Sequence, residues 1–292
     1  MALAMQLTRI ATNGITLEVG TLGPESGPLV LLLHGFPDLA ESWRHQTEAL
    51  ARAGYRVLVP NQRGYGDSDR PRGVASYSLD LLARDVVGLI DAAGRERAAV
   101  VAHDWGAPVA CQVASMFPTR VERVALLAGP HPAAMSKRLR SDWRQMRRST
   151  YMLWFQLPWL SERYLQRDGG RQLANAVQRA SERSLFDSDA IRERYLAAWR
   201  KPGAMTAMLN WYRAGLRAPA RERAGSIDCS ALVVWGAKDA FLTEELGAAT
   251  AAYFPRGRLV TLEASHWLHL EQPAAVNELL LSFLAGTVSE ST

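Results

Sequence analysis

The chain has 292 residues, 48% of them hydrophobic, so it can bury one substantial core, and its two cysteines are too few for a disulfide framework. We find no signal peptide and no apolar run near the ~20 residues that cross a bilayer, so we expect a cytoplasmic protein without a membrane span. Residues 133–223 carry 19 Lys+Arg against 8 Asp+Glu along helical patterns, which favours a solvated helix surface over a nucleic-acid site.

Short apolar runs alternate with amphipathic helical patterns up to about Gly129, and again from about Ile227 to Ala285. This alternation predicts an α/β fold with a mainly parallel sheet flanked by helices. The first two runs are joined through Asn13-Gly14, which predicts an antiparallel hairpin at a sheet edge. The eight predicted strands are Gln6–Ile10, Ile15–Val19, Leu29–Leu33, Arg56–Pro60, Ala98–Ala102, Val121–Leu127, Ser230–Trp235 and Arg258–Leu262.

Helical spacing of apolar residues predicts helices over 79–90 and 276–283 that lie on the sheet. The strand signal disappears from about Pro132 to Pro219, in a segment rich in Arg, Trp, Tyr, Leu and Met, which we interpret as an inserted helical lid. The predicted organisation is a core formed by residues 1–132 and 224–292, with the lid at 133–223.

Asp104 follows the apolar strand Ala98–Ala102 and precedes a helical pattern over Gly106–Met116. Such a tight strand-to-helix turn with small neighbours is typical of a nucleophile elbow. An aspartate with a pKa of about 3.9 is already ionised near neutrality, and a carboxylate suits displacement at a saturated carbon. The alternative is that Asp104 merely caps the helix, since Asp is a favoured N-cap residue.

Asp239 and His266 each follow a predicted strand, so both can meet Asp104 at the carboxyl edge of the sheet. The order nucleophile, acid, histidine also fits this kind of fold. Asp239 could instead be an ordinary loop carboxylate, and His269 competes as the base. We favour His266 because it comes first after the strand, whereas His269 falls where the last helix begins.

A carboxylate nucleophile forms an ester that water must then cleave. The pair His266 and Asp239 would activate that water, with Asp239 orienting the ring. The backbone N–H groups of Phe36 and Trp105 are the candidate oxyanion hole for the charge on the ester oxygen. The alternative for the loop around Phe36 is a plain turn that Pro37 stiffens.

Several motifs together resemble the epoxide hydrolases of the α/β-hydrolase fold over nearly the whole chain. They are His34-Gly35-Phe36-Pro37, Arg63-Gly64-Tyr65-Gly66-Asp67-Ser68, His103-Asp104-Trp105-Gly106-Ala107-Pro108, Asp239 and His266-Trp267. In such enzymes two lid tyrosines hold and protonate the epoxide oxygen, and the matching positions here are Tyr151 and Tyr212. A phenol with a pKa near 10 stays protonated yet can donate to a developing alkoxide. The alternative is that both tyrosines only pack within an aromatic-rich lid.

The resemblance implies an enzyme that converts an epoxide and water into a vicinal diol, with no cofactor and no metal. We expect an apolar pocket to which Trp105, Trp154, Phe155 and Trp267 contribute. We expect no nucleic-acid partner and either a monomer or a homodimer.

Two other functions remain open at this point. A haloalkane or haloacid dehalogenase would use the same Asp nucleophile, with Trp105 and either Trp154 or another lid Trp as halide donors, but it has no need of two phenols. A ligand-binding receptor of the same fold would keep the pocket and lose turnover, which predicts saturable binding without product. A serine esterase is disfavoured because no serine stands at position 104.

Overall fold

The computed structural model describes residues 5–183, 185–217 and 225–286. These residues form one eight-stranded sheet with the order β1-β2-β4-β3-β5-β6-β7-β8. The pairs β1·β2 and β2·β4 are antiparallel, and all other neighbouring strands are parallel. The strands are β1 Gln6–Thr12, β2 Ile15–Leu22, β3 Leu29–Leu33, β4 Arg56–Asn61, β5 Ala98–His103, β6 Val121–Leu127, β7 Ser230–Gly236 and β8 Arg256–Leu262.

The predicted eight-stranded, mostly parallel sheet is therefore confirmed, including the antiparallel hairpin through Asn13-Gly14. Six predicted strands are one to three residues shorter than the observed ones. Strand β5 ends at His103, one residue later than predicted, so it leads straight into Asp104.

Helices cover both faces of the sheet. Alternate residues of β5 enter two different hydrophobic clusters, with Val100 in one and Val101 in the other. The first cluster includes Leu82 and Val109, and the second includes Leu50 and Leu280, each from a helix. The helices are α1 Arg44–Arg52, α2 Leu79–Ala92, α3 Gly106–Met116, α4 Pro132–Ser141, α5 Trp143–Arg148, α6 Thr150–Trp154, α7 Leu160–Leu165, α8 Arg171–Arg179, α9 Asp189–Arg200, α10 Ala204–Arg217, α11 Glu244–Ala251, α12 Leu268–Glu271 and α13 Pro273–Leu284.

Helices α4 to α10 form an insertion between β6 and β7, and no strand occurs in its described part. Two indole N–H groups of this insertion hydrogen-bond to loops of the core, from Trp199 to the Pro37 carbonyl (2.8 Å) and from Trp211 to the Arg63 carbonyl (3.0 Å). The predicted end of the lid at residue 223 lies outside the described residues, so the domain boundaries stay a prediction. None of the helices in the described ranges has the length and apolarity needed to cross a membrane.

Candidate active site

Asp104 lies in the turn between β5 and α3 with a φ of 49°, a backbone conformation that few non-glycine residues adopt. Its neighbours leave almost no room. A Cβ on Gly35 would lie 2.3 Å from the Asp104 Cβ, and one on Gly106 would lie 2.3 Å from the Leu33 carbonyl oxygen. Glycine is required at both places, because the Asp104 side chain lies against the Gly35 backbone and the end of β3 lies against the Gly106 backbone.

The Asp104 carboxylate faces two catalytic candidates and does not cap α3. Its Oδ1 accepts a hydrogen bond of 2.8 Å from the Phe36 N–H, and its Oδ2 lies 3.4 Å from Nε2 of His266. Helix α3 has Trp105 at its N-cap position, without a side-chain capping bond. Burial alone would raise the pKa of Asp104, but the hydrogen bond and charge of His266 outweigh it and lower that pKa. Asp104 is therefore an ionised carboxylate, and its side chain is 15% exposed.

Asp239 is fully engaged as a partner of His266. Its Oδ2 lies 2.7 Å from Nδ1 of His266, and its Oδ1 accepts the backbone N–H groups of Phe241 (2.7 Å) and Leu242 (3.0 Å). Arg148 of α5 donates to the Asp239 carbonyl oxygen at 2.7 Å. These bonds fix the carboxylate and, through it, the orientation of the imidazole ring.

His266 lies between two carboxylates, and this determines its protonation. Burial tends to lower its pKa, but the charge of Asp239 and the hydrogen bonds to Asp104 and Asp239 raise it to about 10. The competing base, His269, is in α12, separate from α13. It is fully buried, its ring contacts Trp43 and His103, and burial lowers its pKa well below the ordinary value. Among the two histidines, only His266 is shown in contact with Asp104.

Tyr151 of α6 and Tyr212 of α10 meet edge to face, with ring centroids 6.0 Å apart. The Tyr212 ring also contacts Phe36 (5.3 Å) and Trp105 (5.0 Å), the residues of the predicted oxyanion hole. Burial raises the pKa of both phenols, and the negative charge of Asp104 adds to the effect. Both hydroxyls therefore stay protonated near neutral pH and lie within the electrostatic influence of Asp104.

The buried Arg213 holds the two tyrosine-bearing helices together. It follows Tyr212 in α10, donates to the Phe155 carbonyl oxygen at 3.0 Å, and pairs with Glu162 of α7 at 2.7 Å. A paired, hydrogen-bonded guanidinium is the favourable way to bury a charge. The backbone after Tyr151 is thus connected directly to the residue after Tyr212.

The other predicted pocket residues differ in position. Phe155 is buried and its ring contacts those of Phe36, Tyr151 and Tyr212. The Trp154 ring contacts those of Phe155 and Tyr164. It is connected to Tyr151 and Tyr212 through Phe155. Trp267 is buried, with its ring against His266 and its indole N–H bonded to Asp38 at 3.2 Å. Whether these residues touch a substrate stays a prediction.

The sequence interpretation missed Phe241, whose ring contacts His266 (5.3 Å), Trp267 (6.0 Å) and Tyr151 (5.8 Å). It thus connects the base with one of the tyrosines. Its place two residues after Asp239 was the only available signal.

A second missed feature is a buried polar cluster behind His266, formed by Asp38, His103 and His269. Their potential ligand atoms lie within 4.8 Å of one another, the only such grouping of metal-ligating side chains in the described ranges. Two of its members already bind the peptide that carries the base. His103 Nε2 lies 3.0 Å from the His266 carbonyl oxygen, and Asp38 accepts the Trp267 indole N–H. The residue types suit a metal, but the contacts shown support the position of His266.

The chain as a whole is similar to several known proteins. A family model described as the alpha/beta hydrolase fold matches residues 28–273. The AB hydrolase superfamily protein YfhM of Bacillus subtilis is 41% identical over 276 residues, covering 94% of this chain and 96% of that protein. Epoxide hydrolase A of Mycobacterium tuberculosis is 35% identical over 313 aligned positions, covering 95% of this chain and 96% of its own.

Solved structures agree with this similarity. The crystal structure of a Bacillus megaterium epoxide hydrolase in complex with an inhibitor matches with a TM-score of 0.86 and 29% identity, over 95% of this chain and 100% of that one. Epoxide Hydrolase A from Mycobacterium thermoresistibile matches with a TM-score of 0.81 and 30% identity, over 97% and 99% of the two chains. The likeness therefore extends over the core and the described insertion together.

Proposed function

This chain belongs to the α/β-hydrolase-fold family, among the hydrolases that include the epoxide hydrolases, and from that premise we propose that it converts an apolar epoxide into a vicinal diol. We further propose that residues 133–223 act as a lid that brings Tyr151 and Tyr212 over the core.

One observation carries the proposal: a carboxylate, an imidazole and a second carboxylate stand in a row, and two paired phenols with raised pKa values lie within the electrostatic influence of the first carboxylate. The row is Asp104, His266 and Asp239, with contacts of 3.4 and 2.7 Å. A nucleophile for carbon and a proton donor for oxygen are what ring opening of an epoxide requires. The phenol pair favours an epoxide over an alkyl halide, because a departing halide needs no proton.

In the first step, Asp104 Oδ2 bonds to an epoxide carbon while Oδ1 stays hydrogen-bonded to the Phe36 N–H. The ring C–O bond breaks, and its electron pair goes to the epoxide oxygen. That oxygen takes a proton from Tyr151 or Tyr212. The result is an ester on Asp104, a hydroxyl on the neighbouring carbon and one phenolate.

Ester formation also prepares His266 for the second step. Asp104 helps to raise the pKa of His266 through its hydrogen bond and its charge, and the ester removes that charge. The pKa of His266 therefore falls, and the imidazolium proton restores the phenol. The neutral imidazole that remains is the general base that hydrolysis needs.

In the second step, water loses a proton to Nε2 of His266 and its oxygen bonds to the ester carbon. The N–H groups of Phe36 and Trp105 stabilise the oxyanion that forms on Oδ1. The ester C–O bond then breaks, and the hydroxyl proton of the intermediate passes to the departing diol oxygen. Asp104 is again a carboxylate and His266 an imidazolium, so one water has been added to the epoxide. No cofactor or metal enters this scheme.

Matched substrates test the proposed reaction. Purified protein is given an aryl epoxide, an alkyl epoxide and haloalkanes of the same carbon skeletons, and diol and halide are both quantified. We expect diol from at least one epoxide and no halide release above background. Halide release without diol formation would assign the site to a dehalogenase. Saturable binding of these compounds without any product would assign it to a receptor.

A further inference from the structure

The insertion carries an unusual concentration of exposed apolar side chains. Among the described residues, nine large hydrophobic side chains are exposed, and seven of them fall within residues 143–164. The most exposed are Trp159 at 80%, Leu153 at 66% and Trp143 at 64%. We call the set the 143–164 surface, and its members are Trp143, Met146, Leu153, Leu157, Trp159, Leu160 and Tyr164. Exposed apolar side chains concentrated in one stretch of chain mark a candidate interaction surface.

The backbone presents the most exposed of these side chains at a conformational cost. Trp159 has a φ of 65°, in the left-handed region that bulky residues avoid, and it directly precedes α7. Leu157 and Leu160 lie on either side of it in sequence, and both are exposed. Backbone strain combined with an exposed indole points to a functional surface.

The same stretch is positively charged. Its basic residues are Arg144, Arg147, Arg148 and Arg163, of which Arg148 already donates to the carbonyl oxygens of Asp239 and Leu242. Its one acidic residue, Glu162, is buried and paired with Arg213. Arg147 lies over the Trp143 ring, and Arg144 lies 3.7 Å from the exposed Glu245 outside the stretch. Within the stretch, the exposed apolar side chains are therefore accompanied by arginines without exposed carboxylates.

We propose that the 143–164 surface docks this protein on an anionic lipid surface. Trp, Tyr and Leu inserted at headgroup level, with arginines near the lipid phosphates, form the pattern of interfacial membrane binding. Several short helices carry the residues, and no helix in the described ranges could span the bilayer. The contact that we propose is peripheral.

A second copy of the chain fits this surface less well. A two-fold symmetric dimer brings the same patch of both subunits together, so arginines would meet arginines. Like charges across an interface oppose association, whereas anionic headgroups neutralise them.

The 143–164 surface includes part of α6, so docking would affect how substrate reaches the site. This inference rests on the proposed function. Leu153 belongs to α6, the helix of Tyr151, and Tyr164 contacts Trp154 of that same helix. Docking would therefore bring α6, the helix that carries Tyr151, close to the lipid phase, in which apolar epoxides concentrate. We infer that the protein takes such substrates from the bilayer more readily than from water.

Vesicle binding tests the proposal without any substrate. The 292-residue chain is sedimented with phosphatidylcholine vesicles, with or without about 30% phosphatidylserine, at low and high salt. We expect at least tenfold tighter partitioning to the anionic vesicles, and most of that difference should disappear at high salt. Equal partitioning to both vesicle types, or no partitioning, would overturn the proposal.

Matched variants assign the binding to the surface. Leu153→Gln, Trp159→Asn and Leu160→Gln together should reduce partitioning at least tenfold, and Asn tolerates the positive φ at 159. The control is Leu7→Gln with Leu216→Gln, since both side chains are exposed (56% and 44%) outside the stretch, and it should bind vesicles like the wild type. An equal loss in both variants would contradict the assignment.

Two further measurements distinguish lipid docking from self-association and from a loss of catalytic activity. Sedimentation equilibrium at rising protein concentration, without lipid, should give the same mass for wild type and triple variant. A dimer that the triple variant abolishes would make the surface a self-association site and overturn the proposal. Hydrolysis of a water-soluble epoxide without vesicles should be unchanged in the triple variant. Absence of vesicle binding together with intact diol formation would thus refute docking and leave the proposed function unaffected.

Discussion

The sheet core and the helical insertion contribute to the site in different ways. In the core, the turn at Asp104 is enclosed by backbone at Gly35 and Gly106, and His266 is fixed by Asp239. In the insertion, Tyr151 and Tyr212 are held by ring contacts and by one buried ion pair, Arg213 with Glu162.

This difference shows how the fold divides the proposed chemistry. The nucleophile and base need a fixed geometry, because the covalent bond forms and breaks at one atom pair. The acid must only reach an oxygen that the substrate presents, so helices joined by aromatic contacts suffice. Changes in the core should therefore abolish turnover, whereas changes in the insertion should reduce it in steps.

The largest effect is expected in the core, from Asp104→Asn. The amide keeps the shape and tolerates the positive φ, but it is a poor nucleophile, so turnover should fall by about 10⁴-fold or more. Diol formation by purified variants is the measurement, with Asp228→Ala, a largely exposed carboxylate, as the control that keeps activity. A variant that retains a tenth of the wild-type rate would remove Asp104 from the chemistry.

The next largest effect is expected from His266→Gln, which should lower turnover by about 10²- to 10⁴-fold, the usual contribution of a general base. Because only the second step needs the base, the ester should accumulate. Intact-protein mass spectrometry should then show a gain equal to the mass of the substrate. Slow diol formation with no adduct at any time would contradict the two-step scheme.

A smaller, stepwise effect is expected in the insertion. Tyr151→Phe or Tyr212→Phe should each reduce epoxide opening by about 10- to 100-fold, since the remaining phenol can still donate, and the double variant should lose more than either. The rate of ester formation is measured in a His266→Gln background. Tyr164→Phe, on the same insertion, is the matched control. Full activity of the double variant would place the acid elsewhere.

The smallest effect concerns the pH dependence of the free energy of unfolding, to which His266 of the core contributes. The pKa of His266 is raised from 6.5 to about 10 in the folded protein, so its stabilising contribution is complete below pH 6.5 and disappears as the pH rises through about 10. Urea unfolding at pH 6.5, 8 and 10 should show a larger alkaline loss in wild type than in His266→Gln. Parallel pH curves for the two proteins would contradict the raised pKa.

The fold could be predicted largely from sequence, because each buried strand is a short apolar run between turn signals. The predicted bounds of Leu29–Leu33 and Val121–Leu127 agree with the structure. Errors occur at ends such as Arg256–Leu262, where two exposed residues of β8 continue the pairing with β7 and no apolar signal marks them.

Strand pattern alone predicted the site only where its residues follow strands, and the family resemblance supplied Tyr151 and Tyr212 of the insertion. The sequence predicted that Asp104, Asp239 and His266 lie close together, because parallel strands end at the same edge of the sheet. The contact between Asp38 and Trp267 joins positions 229 residues apart, and Phe241 is connected to His266 by a ring contact. Neither has a local pattern, so only the folded structure reveals them.

The most direct test of the covalent step is a single turnover in H₂¹⁸O with protein in excess over epoxide. Hydrolysis of the ester should place the heavy oxygen in the Asp104 side chain, found by mass spectrometry of the peptide that contains it, and the first diol should carry none. Heavy oxygen in the first diol, with an unlabelled peptide, would mean that water attacks the epoxide directly and would contradict the account.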